Sequence, residues 1–182
     1  MRTAGYLVNL PGGISGEKGQ FFDYVLAADG IYVRSETPLL RATIRIAEAQ
    51  IRGLDTLAEK VELVHGKIPS WMGRFALNVL RTMPYEEAYL AIIWDNGYHL
   101  RTPHQEKCKS SVSYVPIPNK LVDIHSHGTM KAFFSEVDDQ DEQGMALYIV
   151  VGEMRKPTAA ALARVGIYGY FRMIDWEDVF EL

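Results

Sequence analysis

Along most of the chain, apolar residues come in short alternating or continuous runs of strand rather than helix length. FFDYVLAADGIYVRSE (21–36) sets two such runs around Ala28-Asp29-Gly30, a hairpin signal. RATIRIAE (41–48) alternates polar and apolar positions, and VELVHGKI (61–68) offers a further strand. Met72, Phe75, Ala76, Val79 and Leu80 recur at helical spacing between Pro69 and Pro84, so a helix over 70–82 is expected with those residues on one face. EAYLAIIWDNGYHLRTP (87–103) is a hairpin around Asp95-Asn96-Gly97, and SSVSYVPI (110–117) and KLVDIHSH (120–127) supply two more strands. SEVDDQDEQG (135–144) predicts a short acidic helix or turn capped by Ser135. MALYIVVG (145–152) reads as a buried strand, and ALARVGIYGYFRMI (161–174) as one or two more. Helices and strands mix without a regular βαβ repeat. The expected fold is therefore α+β, or a mixed α/β/α layered domain over 68–182, behind a small β-rich layer over 1–67.

The glycine-rich stretch LPGGISGEKGQ (10–20) is not a phosphate-binding loop, because Lys18 is followed by Gly19 where Ser or Thr would be needed. A flexible N-terminal loop is expected there instead.

Composition narrows the function classes. With 48% hydrophobic and 23% charged residues over 182 positions, the chain has the make-up of an ordinary globular protein. A net charge of −4 does not advertise nucleic acid as a partner. The single cysteine, Cys108, excludes an internal disulfide and any multi-cysteine zinc site. The first residues lack a targeting pattern, and runs such as AYLAII are too short to cross a bilayer. A cytoplasmic location without membrane contact is the expectation, and the oligomeric state is left open.

The candidate chemistry lies in HSHGTMKAFFSEVDD (125–139). On a strand, residues i and i+2 point to the same face, so His125 and His127 converge on one point. Two imidazoles, a carboxylate from the acidic segment and a water would make an open, four-coordinate zinc site. Structural readings compete with this. Ser135-x-x-Asp138 is also a capping box, and the five acids over 136–142 usually form a solvated face.

The full spacing, His-x-His, seven residues, Ser, two residues, Asp, resembles the signature of the JAB/MPN (JAMM) metallopeptidase family. The resemblance implies a cytidine-deaminase-like mixed sheet flanked by helices. It also implies zinc held by His125, His127 and Asp138, with Ser135 holding an oxygen of the reacting centre. The family further needs an upstream glutamate where a strand follows a helix, and Glu86 and Glu87 stand side by side in PYEEAY. Adjacent strand residues face opposite ways, so at most one can serve. The common form Pro-x-Glu favours Glu86; likeness to a prokaryotic subgroup favours Glu87, which is preferred here. More loosely, VLAADGIYVR, TPHQ, VSYVPI, DIHSHG and YIVVGEM resemble the bacterial JAB proteins of the PRTRC system protein A group.

The resemblance implies hydrolysis of a peptide or isopeptide bond, with a protein or peptide substrate such as a ubiquitin-like tail. A non-catalytic JAB scaffold, or an accessory protein of a plasmid- or phage-associated system, is the alternative. Phe133 and Phe134 either line the entrance or pack at the hinge before the helix. A thiol mechanism through Cys108 and His104 is not expected, and His65 and His99 are expected at the surface or at strand ends.

Overall fold

The computed structural model describes residues 2–103, 105–107, 112–114, 117 and 119–182. His104 and Cys108 lie outside them. The chain divides into two units. One comprises Met1–His65 with Gln143–Met145 and Gly166–Arg172; the other comprises Gly66–Glu142, Ala146–Val165 and Met173–Leu182. Both are built on a mixed sheet, and helices are few, which makes the chain a mixed α+β protein.

The first unit holds β1 (Ala4–Leu10), β2 (Gly13–Glu17), β3 (Phe22–Ala27), β4 (Gly30–Glu36), β5 (Leu40–Glu48) and β6 (Lys60–Leu63). Their order across the sheet is β2-β1-β3-β4-β5-β6, with β1 and β3 parallel and the other pairs antiparallel. The alternation that predicts β3–β5 also places Leu7, Val25, Ala27 and Tyr32 in one buried cluster with Leu57 against it. The expected loop over 10–20 is corrected here, because Gly13–Glu17 pairs with β1 as a strand. Every residue of β2 is exposed, so it carries no apolar alternation and left no signal in the sequence. Gly16 has φ of +134°, and a Cβ there would stand 2.4 Å from the Tyr6 carbonyl oxygen, so glycine is what lets this edge close.

The second sheet contains β7 (Ala88–Trp94), β8 (Tyr98–Arg101), β11 (Lys120–Ser126), β12 (Met145–Gly152), β13 (Ala160–Ile167) and β14 (Tyr170–Ile174). Its order is β14-β13-β12-β11-β7-β8, and a separate two-stranded ribbon pairs β9 (Gln105–Lys107) with β10 (Val112–Tyr114). β11 is parallel to β12 and antiparallel to β7. Leu90, Ile92, Val122, Ile124, Leu147 and Ile149 are buried along these central strands.

The helices are α1 (Ser70–Arg81), α2 (Glu136–Asp141) and α3 (Trp176–Val179). α1 buries Met72, Ala76 and Leu80 as its period predicts, but Phe75 is exposed. Gly73 takes the inner position instead, since a Cβ there would lie 2.7 Å from the Trp176 ring and 3.1 Å from Phe180. The sequence offered no sign of α3, and it is α3 that decides which side of α1 faces inward. Among the described residues, no helix is long and apolar enough to cross a membrane.

Candidate metal centre

The site stands where β11 ends beside β12 and β7. His125 is in β11, opposite Tyr89 of β7 and alongside Val150 of β12. His127 follows the strand, and its amide continues the ladder by donating to the Val151 carbonyl at 2.8 Å. The chain then turns at Gly128 (φ +56°), and Met154 N–H donates to the Gly128 carbonyl while Glu153 N–H donates to that of Met130. This fixes the loop that carries the chain to α2. Gly152 allows the close approach, because a Cβ there would lie 2.3 Å from the Ala132 nitrogen.

The carboxylate arrives from the start of α2. Ser135 caps the helix, its hydroxyl accepting from Asp138 N–H at 3.2 Å, while Asp138 Oδ2 accepts the Ser135 amide at 2.6 Å and its hydroxyl at 2.7 Å. The capping box thereby aims Asp138 at the histidines: Oδ1 is 3.2 Å from His125 Nε2, and Oδ2 is 3.9 Å from His127 Nε2. One ligand atom from each of His125, His127 and Asp138 falls within 4.8 Å of the others. His125 Nε2 and His127 Nδ1 are buried, and neither makes a hydrogen bond to a described residue. Buried polar nitrogens are ordinarily satisfied. Two imidazoles converging on one carboxylate fit a cation that prefers nitrogen and oxygen ligands.

The electrostatics agree with that fit. Burial pushes the Asp138 carboxyl up, but the His125 contact and the Ser135 hydrogen bonds outweigh it and hold the group well below the usual aspartate range. Burial pulls His125 down, yet the contact and charge of Asp138, with Asp123 and Glu142 behind it, keep the imidazole above its ordinary value. His127 is held below it by burial and by the charge on His125.

The two glutamates differ in what surrounds them. The β7–β11 register ends at Ser126↔Ala88, so Glu87 directly precedes the strand residue paired beside His125 and His127. The charges of His125 and Asp138 both act on its carboxyl, which puts Glu87 beside the site. Glu87 is half-buried, and burial raises its carboxyl, opposed by His125 and aided by Asp138. Glu86 is exposed.

Phe133 is exposed and sets its ring 4.6 Å from that of His127, so it stands at the mouth of the site. Phe134 is turned inward, over the Arg164 guanidinium at 3.8 Å. His65 is exposed, and His99 bonds the Asp95 carbonyl within its hairpin. The sequence reading missed Glu142. Taken there as part of a solvated acidic face, it is 6% exposed and paired with Arg164 of β13. The arginine is 22 positions away in sequence, so no local pattern could have signalled the pairing.

Residues 118–165 match the family model described as prokaryotic homologs of the JAB domain. The matched stretch contains His125, His127, Ser135, Asp138, Glu142 and Arg164, while Glu86 and Glu87 precede it. No curated protein matches the chain.

Proposed function

We propose that the chain, whose residues 118–165 match the prokaryotic JAB model, is a JAB/MPN protein acting as a zinc-dependent hydrolase of peptide or isopeptide bonds. The observation that carries this reading is the convergence of His125, His127 and Asp138 on one point, with ligand atoms within 4.8 Å of one another. Two imidazoles and one carboxylate with an open side suit catalytic zinc. When bound there, zinc makes a water acidic near pH 7 and polarises a carbonyl.

The remaining steps fall to the chain's own residues. Glu87, whose carboxyl feels the charges of His125 and Asp138, takes the proton from the attacking water and returns it to the leaving nitrogen. Burial of its carboxyl, which raises its proton affinity, suits both halves of that task. Ser135 donates its hydroxyl proton to Asp138 in the resting site. During reaction that proton turns to the substrate oxygen, a donation whose loss costs about 3 kcal/mol at comparable sites.

The proposed substrate is an extended protein tail, with a ubiquitin-like chain ending in small residues as the leading case. The sheet around the site is proposed to be the cytidine-deaminase-like sheet of the family, the chain a member of the PRTRC system protein A group, and its location the cytoplasm.

The test is metal content with hydrolysis of a ubiquitin-like fusion. Wild type purified without chelators should hold zinc and cleave the fusion, and His127→Ala should do neither. Zinc retained without cleavage by wild type would point to a JAB scaffold; no zinc in wild type would sink the enzyme reading.

A further inference from the structure

A buried ion network touches the far side of His125. Glu142, the residue that closes α2, turns its Oε2 to Arg164, accepting from Nε at 2.9 Å and Nη2 at 2.6 Å. Arg164 is 4% exposed, donates through Nη1 to Asp139 Oδ1 at 2.6 Å, and has the Phe134 ring stacked on its plane. The other oxygen of Glu142 faces His125, with Oε1 at 3.9 Å from Nδ1. Asp138 and Glu142 are four residues apart, so they project from the same side of α2. One helix thus presents a carboxylate to each nitrogen of a single imidazole: Asp138 to Nε2 and Glu142 to Nδ1.

We infer that Glu142, held in place by Arg164, is the positioning residue for His125, accepting its Nδ1 proton so that Nε2 is presented bare to a cation beside Asp138. The inference rests on the proposed metal centre and extends it to a residue outside the ligand set. A neutral imidazole carries one N–H, and the partner of that N–H decides which nitrogen is left to bind a metal. A formed hydrogen bond needs about 2.7–3.2 Å, so this pair has to close by about 0.7–1.2 Å as His125 takes up a cation. Arg164 makes the arrangement hold. Two guanidinium N–H groups on one oxygen aim the carboxylate and oppose the burial that pushes its carboxyl up to about 7. Because the same arginine also grips Asp139, the end of α2 is fixed to β13 on two points.

The experiment compares wild type with Glu142→Gln and with the double variant Glu142→Gln, Arg164→Gln, which leaves no lone buried guanidinium. Zinc affinity is measured by competition with a chromophoric chelator. The ring nitrogens of the zinc-loaded proteins are read by nitrogen NMR. Both variants should bind zinc about 10- to 100-fold more weakly. The protected Nδ1–H of His125 should be lost, with the His127 signals unchanged. Wild-type affinity in both variants would overturn the inference and leave the metal centre standing. A loss of affinity without any change at His125 would also overturn it, since the effect would then be structural. If wild type itself binds no zinc, the proposed function and this inference fail together.

Discussion

The Ser126 hydroxyl accepts a hydrogen bond from the Ala88 amide at 3.2 Å, across the joint where β7 begins beside the end of β11. The same hydroxyl donates to the Glu86 carbonyl at 3.4 Å, so one fully buried oxygen grips the backbone on both sides of Glu87. Ser126→Ala leaves the buried Ala88 amide without that acceptor, a loss worth about 1–3 kcal/mol. Denaturant melts should show that decrease. Hydrolysis should fall about tenfold or more while zinc content holds, because a slightly misplaced base costs rate and not ligands. Unchanged activity would mean that Glu87 does not depend on this grip.

Glu87→Gln and Glu86→Gln should separate sharply. If Glu87 moves the proton, its amide keeps the volume and the zinc but loses about 10²- to 10⁴-fold in kcat. Glu86 is exposed, so its amide should behave as wild type. Steady-state kinetics with metal analysis on both variants decides the matter; an inactive Glu86→Gln beside an active Glu87→Gln would reverse the assignment.

The two glutamates also show what the sequence does and does not disclose. The metal ligands are legible because they are close in sequence: a strand sets His125 and His127 two apart, and a helix cap sets Ser135 and Asp138 three apart. Alternation likewise discloses β5, with Leu40, Ala42 and Ile44 inward, and a continuous apolar run discloses β7. The exposed edge strand β2 has no such residues, and Phe75 follows the helical period yet is exposed because Gly73 faces α3. Glu142 and Arg164 meet only through the packing of α2 on β13, a long-range fact with no local trace. Choosing between Glu86 and Glu87 needs their burial and the charges of His125 and Asp138 around Glu87, which the PYEEAY stretch does not state by itself.

Gly152→Ala should be damaging although no catalytic role falls to it. The added Cβ would lie 2.3 Å from Ala132 N, 2.4 Å from Lys131 C and 2.5 Å from Met130 O, all backbone atoms that cannot swing aside. The loop between His127 and α2 must move, carrying Asp138 relative to the histidines. Overpacking of this kind costs about 1–3 kcal/mol. The expected outcome is that loss in chemical denaturation together with weakened zinc binding; a variant with wild-type stability and affinity would show the loop to be free of the β12 end.

Acid–base behaviour gives the last test, and the two site groups act in opposite directions. Asp138 is held well below its usual 3.8, so its contribution to stability is complete above that pH and is lost as pH falls through the depressed value. His125 is held above its usual 6.5, so its contribution is complete below 6.5 and is lost as pH rises through the elevated value. The metal-free protein should therefore melt at progressively lower temperature above pH 6.5. Zinc must displace the His125 proton, whereas His127, held below the ordinary value, is already neutral near pH 7. Titration calorimetry at pH 7 in buffers of different ionisation heat should show proton release on zinc binding. The stabilisation of the zinc-loaded over the metal-free protein should widen with pH across the same range. Asp138→Asn removes the charge that raises His125, so both the proton release and the alkaline decline should shrink with it. Equal binding heats across buffers in the wild type would show that His125 carries no proton for zinc to displace.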